Sequence, residues 1–533
     1  MSRVSIYDTT LRDGAQAVDI NLTAEDKVRI ALKLDELGVE YIEGGWPGSN
    51  PTDKAFFADI GNYTLKHARI AAFGSTHNAK NAPENDANLK GLIASRAPVL
   101  TIFGKAWDQH AIEALRIELP RNLELIENSL AFLKPHCQEL FFDAEHFFDG
   151  YRANRDYALE ALKRAHQGGA TVLVLCDTNG GTLPCDVRNI CQAVAKVLPL
   201  AKIGIHAHND TDMAVANSLM AVQAGAVQVQ GTINGFGERC GNANLCSIIP
   251  TLELKLKRQA LPKGNLTLIT EVSRFVDEVA NRVPFSRQPY VGESAFAHKG
   301  GVHVSAVARN SMLYEHVKPE KVGNVQRIVL SDMAGQSNIL FKAQEYGIPL
   351  EKGSPQVLEI LHEVKEKEAI GYEYSAAAAS FELLMHRTMG MAKRYFTLVK
   401  YRLLDWKQVD CEAPLAEATV MVQVGGSPEH TAATGRGPVN ALDNALRKAL
   451  IRFYPRIEEM RLLDFKVRVL SAASRDDKGT ASYVRVLLTS GDQHSSWTTI
   501  GVSHNIIEAS WQALEDSVNY KLFMEDKRKL GKC

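Results

Sequence analysis

The chain has 533 residues, more than one ordinary domain accommodates, so a large domain and at least one further domain are expected. Hydrophobic residues make up 45% and charged residues 23%, while 61 Lys plus Arg against 62 Asp plus Glu leave a formal charge of -1, which excludes the basic footprint of a nucleic-acid binder and a polybasic membrane patch. No apolar run approaches a bilayer span, the N-terminus carries no secretory h-region, and the 8 cysteines form no CxxC pair, so a cytoplasmic protein with reduced thiols is expected.

From the start to about Lys257, short β-rich runs alternate with stretches of helical spacing. Strands are expected at Val4–Tyr7, Tyr41–Glu43, Ala68–Phe73, Val99–Phe103, Glu139–Ala144, Val172–Cys176, Lys202–Ala207 and Val227–Gly231. Between them, Thr23–Leu37, Leu123–Lys134, Asp156–Gln167 and Met213–Ala224 have helical periodicity; Thr23 is a good cap, and Gly168, Gly169 and Gly225 are good stops. Eight such units predict an α/β domain, a (β/α)8 barrel over residues 1–260. Residues 261–395 read as a helical linker region, with helices over Leu268–Arg282, Pro355–Lys367 and Ser375–Met391; the four alanines at 376–379 suit a helix. After Phe396 strands return at Phe396–Leu404, Ala418–Val424, Leu462–Leu470, Ser482–Thr489 and Ser496–Ile500. Helices opening at Asn440 and Asn505 resemble each other, so residues 396–533 predict an α+β domain of two related units.

Three segments follow expected barrel strands one, seven and eight: Asp8-Thr-Thr-Leu-Arg12-Asp13-Gly, His206-Ala-His208-Asn-Asp and Asn234-Gly-Phe-Gly-Glu238-Arg239-Cys-Gly-Asn242. Barrel closure makes those strands neighbours. His206 and His208 stand two apart on a strand and so share a face, where two imidazoles and the Asp13 carboxylate can hold a divalent cation. A lone His-x-His is more often a hydrogen-bonded polar pair; the aspartate and the Asn242 loop on its flanks reverse that preference. Arg12 suits either a developing oxyanion or an ion pair with Glu43, and the two roles are compatible. Glu43 and Glu145 end strands and should face the cavity, a solvated carboxylate being the plainer alternative for each.

These three motifs resemble the DRE-TIM metallolyase superfamily, and within it the branch of isopropylmalate, homocitrate and citramalate synthases. The likeness covers nearly the whole chain, its last part being similar to a regulatory dimerisation domain. Residues 43–51 and 142–150 resemble the citramalate-forming enzymes, and Ala15 departs from the glutamate usual in isopropylmalate synthases. The resemblance implies a Claisen-type condensation of acetyl-CoA with a 2-oxo acid, pyruvate by the closer segments. It implies Asp13, His206 and His208 as ligands of a divalent cation, with Asn242 beside it; Mn, Zn, Mg and Co all suit such a site. Arg12 would polarise the keto oxygen, and Glu145 and Thr178 would position the oxo acid. His303 would be a catalytic histidine, preferred over His298, and Tyr314 its neighbour. A homodimer and inhibition by isoleucine are also implied. A sister synthase with a larger acceptor pocket, a lyase of the superfamily, and a non-catalytic amino-acid sensor are the alternatives; intact Arg12, Asp13, His206 and His208 speak against the last.

Overall fold

The computed structural model describes residues 3–307, 309–329, 335–407, 415–470 and 482–529. The chain divides into two compact units, Met1–Phe296 with His316–Gln326, and Ala297–Glu315 with Arg327–Cys533. Among the described residues, no helix is long and apolar enough to cross a membrane.

The first unit is a closed eight-stranded barrel of β1 (Ser5–Asp8), β2 (Tyr41–Gly45), β3 (Arg69–Ser75), β4 (Val99–Lys105), β5 (Glu139–Glu145), β6 (Val172–Asp177), β7 (Ile203–Ala207) and β8 (Gln228–Gly231). Every neighbouring pair is parallel, and β8 closes on β1 with Asp8 opposite Gly231. Side chains alternate across each strand: Tyr7, Tyr41, Val99, Phe141 and Val174 pack inside the barrel, while Ile6, Ile42, Leu100, Leu140 and Leu173 meet the helical layer outside. Helix α1 (Ala24–Leu37) shows how locally this is set. Thr23 accepts from the Asp26 backbone N–H while the Asp26 carboxylate accepts from the Thr23 backbone, and Gly38 closes the helix at φ 92°. Its buried Val28, Ala31, Leu34 and Asp35 lie on one face. The next helix, α2 (Pro51–Ile60), starts at Asn50, whose side chain accepts from Asp53 N, with proline at its first position.

The second unit begins with a two-residue parallel pairing, β9 (Ala297–His298) with β10 (Arg327–Ile328). A helix at Gly301–Val307 lies between the two strands in the chain, and helices at Gln336–Glu345, Pro355–Ala369 and Ala378–Thr388 follow β10. The alanine run departs from the expectation: Tyr374–Ala376 is a single 3-10 turn, Ala377 is non-helical at φ -137°, and the α-helix starts only at Ala378. Alanine's propensity yields here to the buried side chains of Tyr374, Ala377 and Phe381, which fix where the chain turns.

Two three-stranded antiparallel sheets, β11 (Thr397–Trp406), β12 (Leu415–Val424) and β13 (Ser427–Gly435), then β14 (Arg461–Val469), β15 (Val484–Gly491) and β16 (Ser496–Ser503), are each followed by a helix, Pro438–Leu450 and Ile506–Lys529. The architecture is thus a TIM barrel followed by an α+β unit built on one repeated motif. Strand β13 was not expected, because Pro428 and its small residues mask the alternation. Its hairpin signal lies just upstream in Gly425 and Gly426, at φ 57° and 89°, a pair only glycine forms without strain. In the first repeat Ala441, Leu442, Ala445, Leu446 and Ala449 form the buried stripe that covers Ala418, Val420 and Val422.

Candidate metal and substrate site

At the C-terminal end of β1 the chain turns on Asp8, whose carboxylate accepts from Thr10 N and Thr10 Oγ1, both at 2.9 Å. Thr10 Oγ1 in turn accepts from Ile233 N at 2.8 Å, tying this turn to the loop after β8. That brings Arg12 and Asp13 to the barrel mouth beside the end of β7. Asp13 Oδ2 lies 3.4 Å from His206 Nε2, and His206 Nε2 lies 3.2 Å from His208 Nε2. The three ligand atoms fall within 4.8 Å of one another, and all three side chains are buried.

The electrostatics suit a cation. Burial pushes the Asp13 carboxyl up, but the Arg12 charge and the two histidines outweigh it and hold it at about 2. Burial lowers His206, and burial together with His206 takes His208 down to about 4. Both imidazoles are therefore neutral at pH 7, and each has one lone pair to offer. Asn242 Oδ1 is buried and has no hydrogen-bond partner, an arrangement costly without a ligand or water. A carboxylate, two neutral imidazoles and an unmet amide oxygen fit a divalent cation. Asn242 is seated by Gly237, where an added Cβ would fall 2.2 Å from Asn242 Nδ2. Gly237→Ala should displace Asn242 and weaken cation binding about 10–100-fold with the fold intact; a chelator competition titration reads this, and unchanged affinity would show that Asn242 contributes nothing.

Arg12 does not point freely. Its Nε donates to Glu43 Oε2 at 2.6 Å, its guanidinium sits 3.7 Å above the Phe73 ring, and its Nη1 lies 3.3 Å from Asp13 Oδ2. Glu43 is wholly buried, and its carboxylate also accepts from Tyr7 OH at 2.7 Å and Thr9 Oγ1 at 2.5 Å. The solvated alternative for Glu43 is excluded. Glu145 pairs with Lys105, its register neighbour on β4. Thr178 Oγ1 accepts from His146 N at 2.9 Å, and Thr178 O accepts from Arg239, which also grips Asp210 at 2.7 and 2.9 Å.

Arg12, Asp13, Glu145, Thr178, His206 and His208 line one cavity of about 240 Å³. Part of its lining is aromatic: Phe73 stacks on Phe103 at 5.5 Å, and Trp46 meets Phe103 edge-on at 5.8 Å. Trp46 is anchored by Asn88 Oδ1 at 2.6 Å and, through its backbone N–H, by Asp53 Oδ2 at 2.7 Å. Asp53, on α2, also accepts from Asn50 Nδ2 at 2.9 Å and pairs with buried Lys27 of α1. The two remaining expected residues, His303 and Tyr314, stack on each other at 4.0 Å within the second unit, where His298 bonds Glu315 at 3.1 Å. Sequence reasoning missed Lys105, Asp143, Gln230 and Trp46. The available signal was a polar residue at an inward position of an otherwise apolar strand, as at Gln230 in Val-Gln-Val-Gln.

Three family models match the chain: HMGL-like over residues 3–276, homocitrate synthase post-HMGL domain-like over 290–371, and the LeuA allosteric (dimerisation) domain over 375–522. An (R)-citramalate synthase of Geobacter sulfurreducens is 58% identical over 527 residues, covering 99% of both chains. One from Aquifex aeolicus is 51% identical, covering 98% of this chain and 99% of its own. A probable 2-isopropylmalate synthase of Methanopyrus kandleri is 32% identical, covering 97% and 98%.

Proposed function

The chain belongs to the family of (R)-citramalate synthases, and from that premise we propose that its barrel condenses acetyl-CoA with pyruvate to give citramalate and free CoA. The observation that carries this reading is the single cavity in which a preoriented arginine, Arg12, stands against the Asp13, His206 and His208 cluster. Asp13, His206 and His208, with Asn242 beside them, would hold a divalent cation, which would supply Lewis acidity for the oxo acid. Arg12, fixed by Glu43 and Phe73, faces the negative charge that grows on the keto oxygen as the new carbon–carbon bond forms. Glu43 has both oxygens occupied within the protein, so its contribution to substrate binding runs through Arg12. Glu145, paired with Lys105, and Thr178 orient the oxo acid from the other flank. His303, stacked on Tyr314, takes the proton from the acetyl methyl group, the general-base role that the histidine's ring nitrogen can fill. Water then cleaves the thioester and releases CoA.

We further infer a homodimer, with the product entering isoleucine formation and isoleucine acting as effector; the match of residues 375–522 to an allosteric dimerisation domain supports this. In a free-CoA assay across 2-oxo acids, pyruvate should release CoA in step with citramalate. Turnover of 2-oxoisovalerate with none of pyruvate would move the chain to the isopropylmalate-forming side of the branch. Isoleucine added to the full chain should bind by calorimetry and inhibit, with a coupling of about 1–3 kcal/mol. If it neither binds nor inhibits, the repeated unit is a brace only.

A further inference from the structure

We propose that Gln230 is a positioning residue for the cation site, its amide holding His206 in the one tautomer that leaves Nε2 free to ligate. The inference rests on the reading of His206 as a ligand. Gln230 stands beside His206 because β7 and β8 pair with Ile205 opposite Val229. It is fully buried, with Oε1 at 3.1 Å from His206 Nδ1 and Nε2 at 3.1 Å from Asp143 Oδ1, across the barrel interior on β5.

An amide oxygen can only accept, so in this arrangement Nδ1 carries the imidazole proton. A neutral imidazole has one N–H, so Nε2 presents its lone pair toward Asp13 Oδ2, 3.4 Å away, and His208 Nε2, 3.2 Å away. The reversed amide would turn an N–H toward Nδ1, move the proton to Nε2 and aim it into the ligand set. Asp143 selects between the two as long as Oδ1 carries no proton, since Oδ1 then accepts from Nε2 of Gln230. A tautomer fixed in advance spares the site a proton shift on binding, which is how outer partners of ligating histidines raise cation affinity.

Two measurements on the full chain test this. In the metal-stripped, 15N-labelled protein, His206 should show a protonated Nδ1 and an unprotonated Nε2. Titrated with Mn2+ alone, Gln230→Met should bind about 10–100-fold more weakly than the parent, while Gln230→Glu, which keeps an acceptor at that place, should stay close to it. A proton on Nε2 of His206 in the parent overturns the inference. So does parent-like Mn2+ affinity in Gln230→Met when His206→Ala has lost binding, an outcome that leaves the cation site standing. A parent that binds no Mn2+ overturns the site itself and this inference with it. Should Gln230→Met fail to fold, the parent tautomer and the Gln230→Glu titration decide.

Discussion

Arg12→Met should lower kcat by about 10²–10³-fold, the usual loss when a preorganised donor to a developing oxyanion is removed. The same change leaves the Glu43 carboxylate, wholly buried, without its cation. Breaking a buried pair from one side costs about 3–5 kcal/mol, so the single variant should also unfold at lower denaturant. Adding Glu43→Gln removes the stranded charge while keeping acceptor and donor groups near Tyr7 and Thr9. The double variant should therefore regain much of the stability and none of the turnover. Steady-state kinetics beside a denaturant titration separates the two roles of the arginine. Recovery of activity together with stability would reduce Arg12 to a structural cation.

A second large effect concerns the acceptor. The cavity of about 240 Å³ is lined in part by Trp46, Phe73 and Phe103, and Trp46 is pinned at both its indole and its backbone. A rigid wall rejects added bulk by overlap. 2-Oxoisovalerate carries two methyl groups more than pyruvate, and each extra group is worth about 10–200-fold in kcat/KM. Pyruvate should win by that margin. Trp46→Ala opens the wall and should shrink the ratio by about tenfold or more, chiefly by raising the larger acid. A ratio unmoved in a folded Trp46→Ala variant would place the selecting surface elsewhere.

The barrel was legible because its strands and helices carry two different periods, and because the end of each motif strand shows residues out of place in an apolar run. His206 and His208 could be put on one face by counting alone. What counting could not supply was the surroundings. Whether Glu43 meets water or Tyr7, Thr9 and Arg12 depends on partners as far as 36 positions away. Lys105 and Glu145 become a pair only once β4 and β5 are in register, and Gln230 acquires meaning only beside His206. Strand β13 was lost to a proline and small side chains, although Gly425-Gly426 announced the hairpin. The pairing of His303 with Tyr314 spans a stretch with no repeating pattern, so a likeness could suggest the two residues but not their stacking.

Asp53 holds the tryptophan of the acceptor wall from behind, through Lys27 and Asn50 on the outer helical layer. The placing of that wall is thereby inherited from residues outside the cavity lining. Drift among these enzymes toward bulkier acceptors can begin in α1 or at the cap of α2, with every motif at the barrel mouth left intact, and a comparison confined to the mouth would miss the lineage that had already changed its diet.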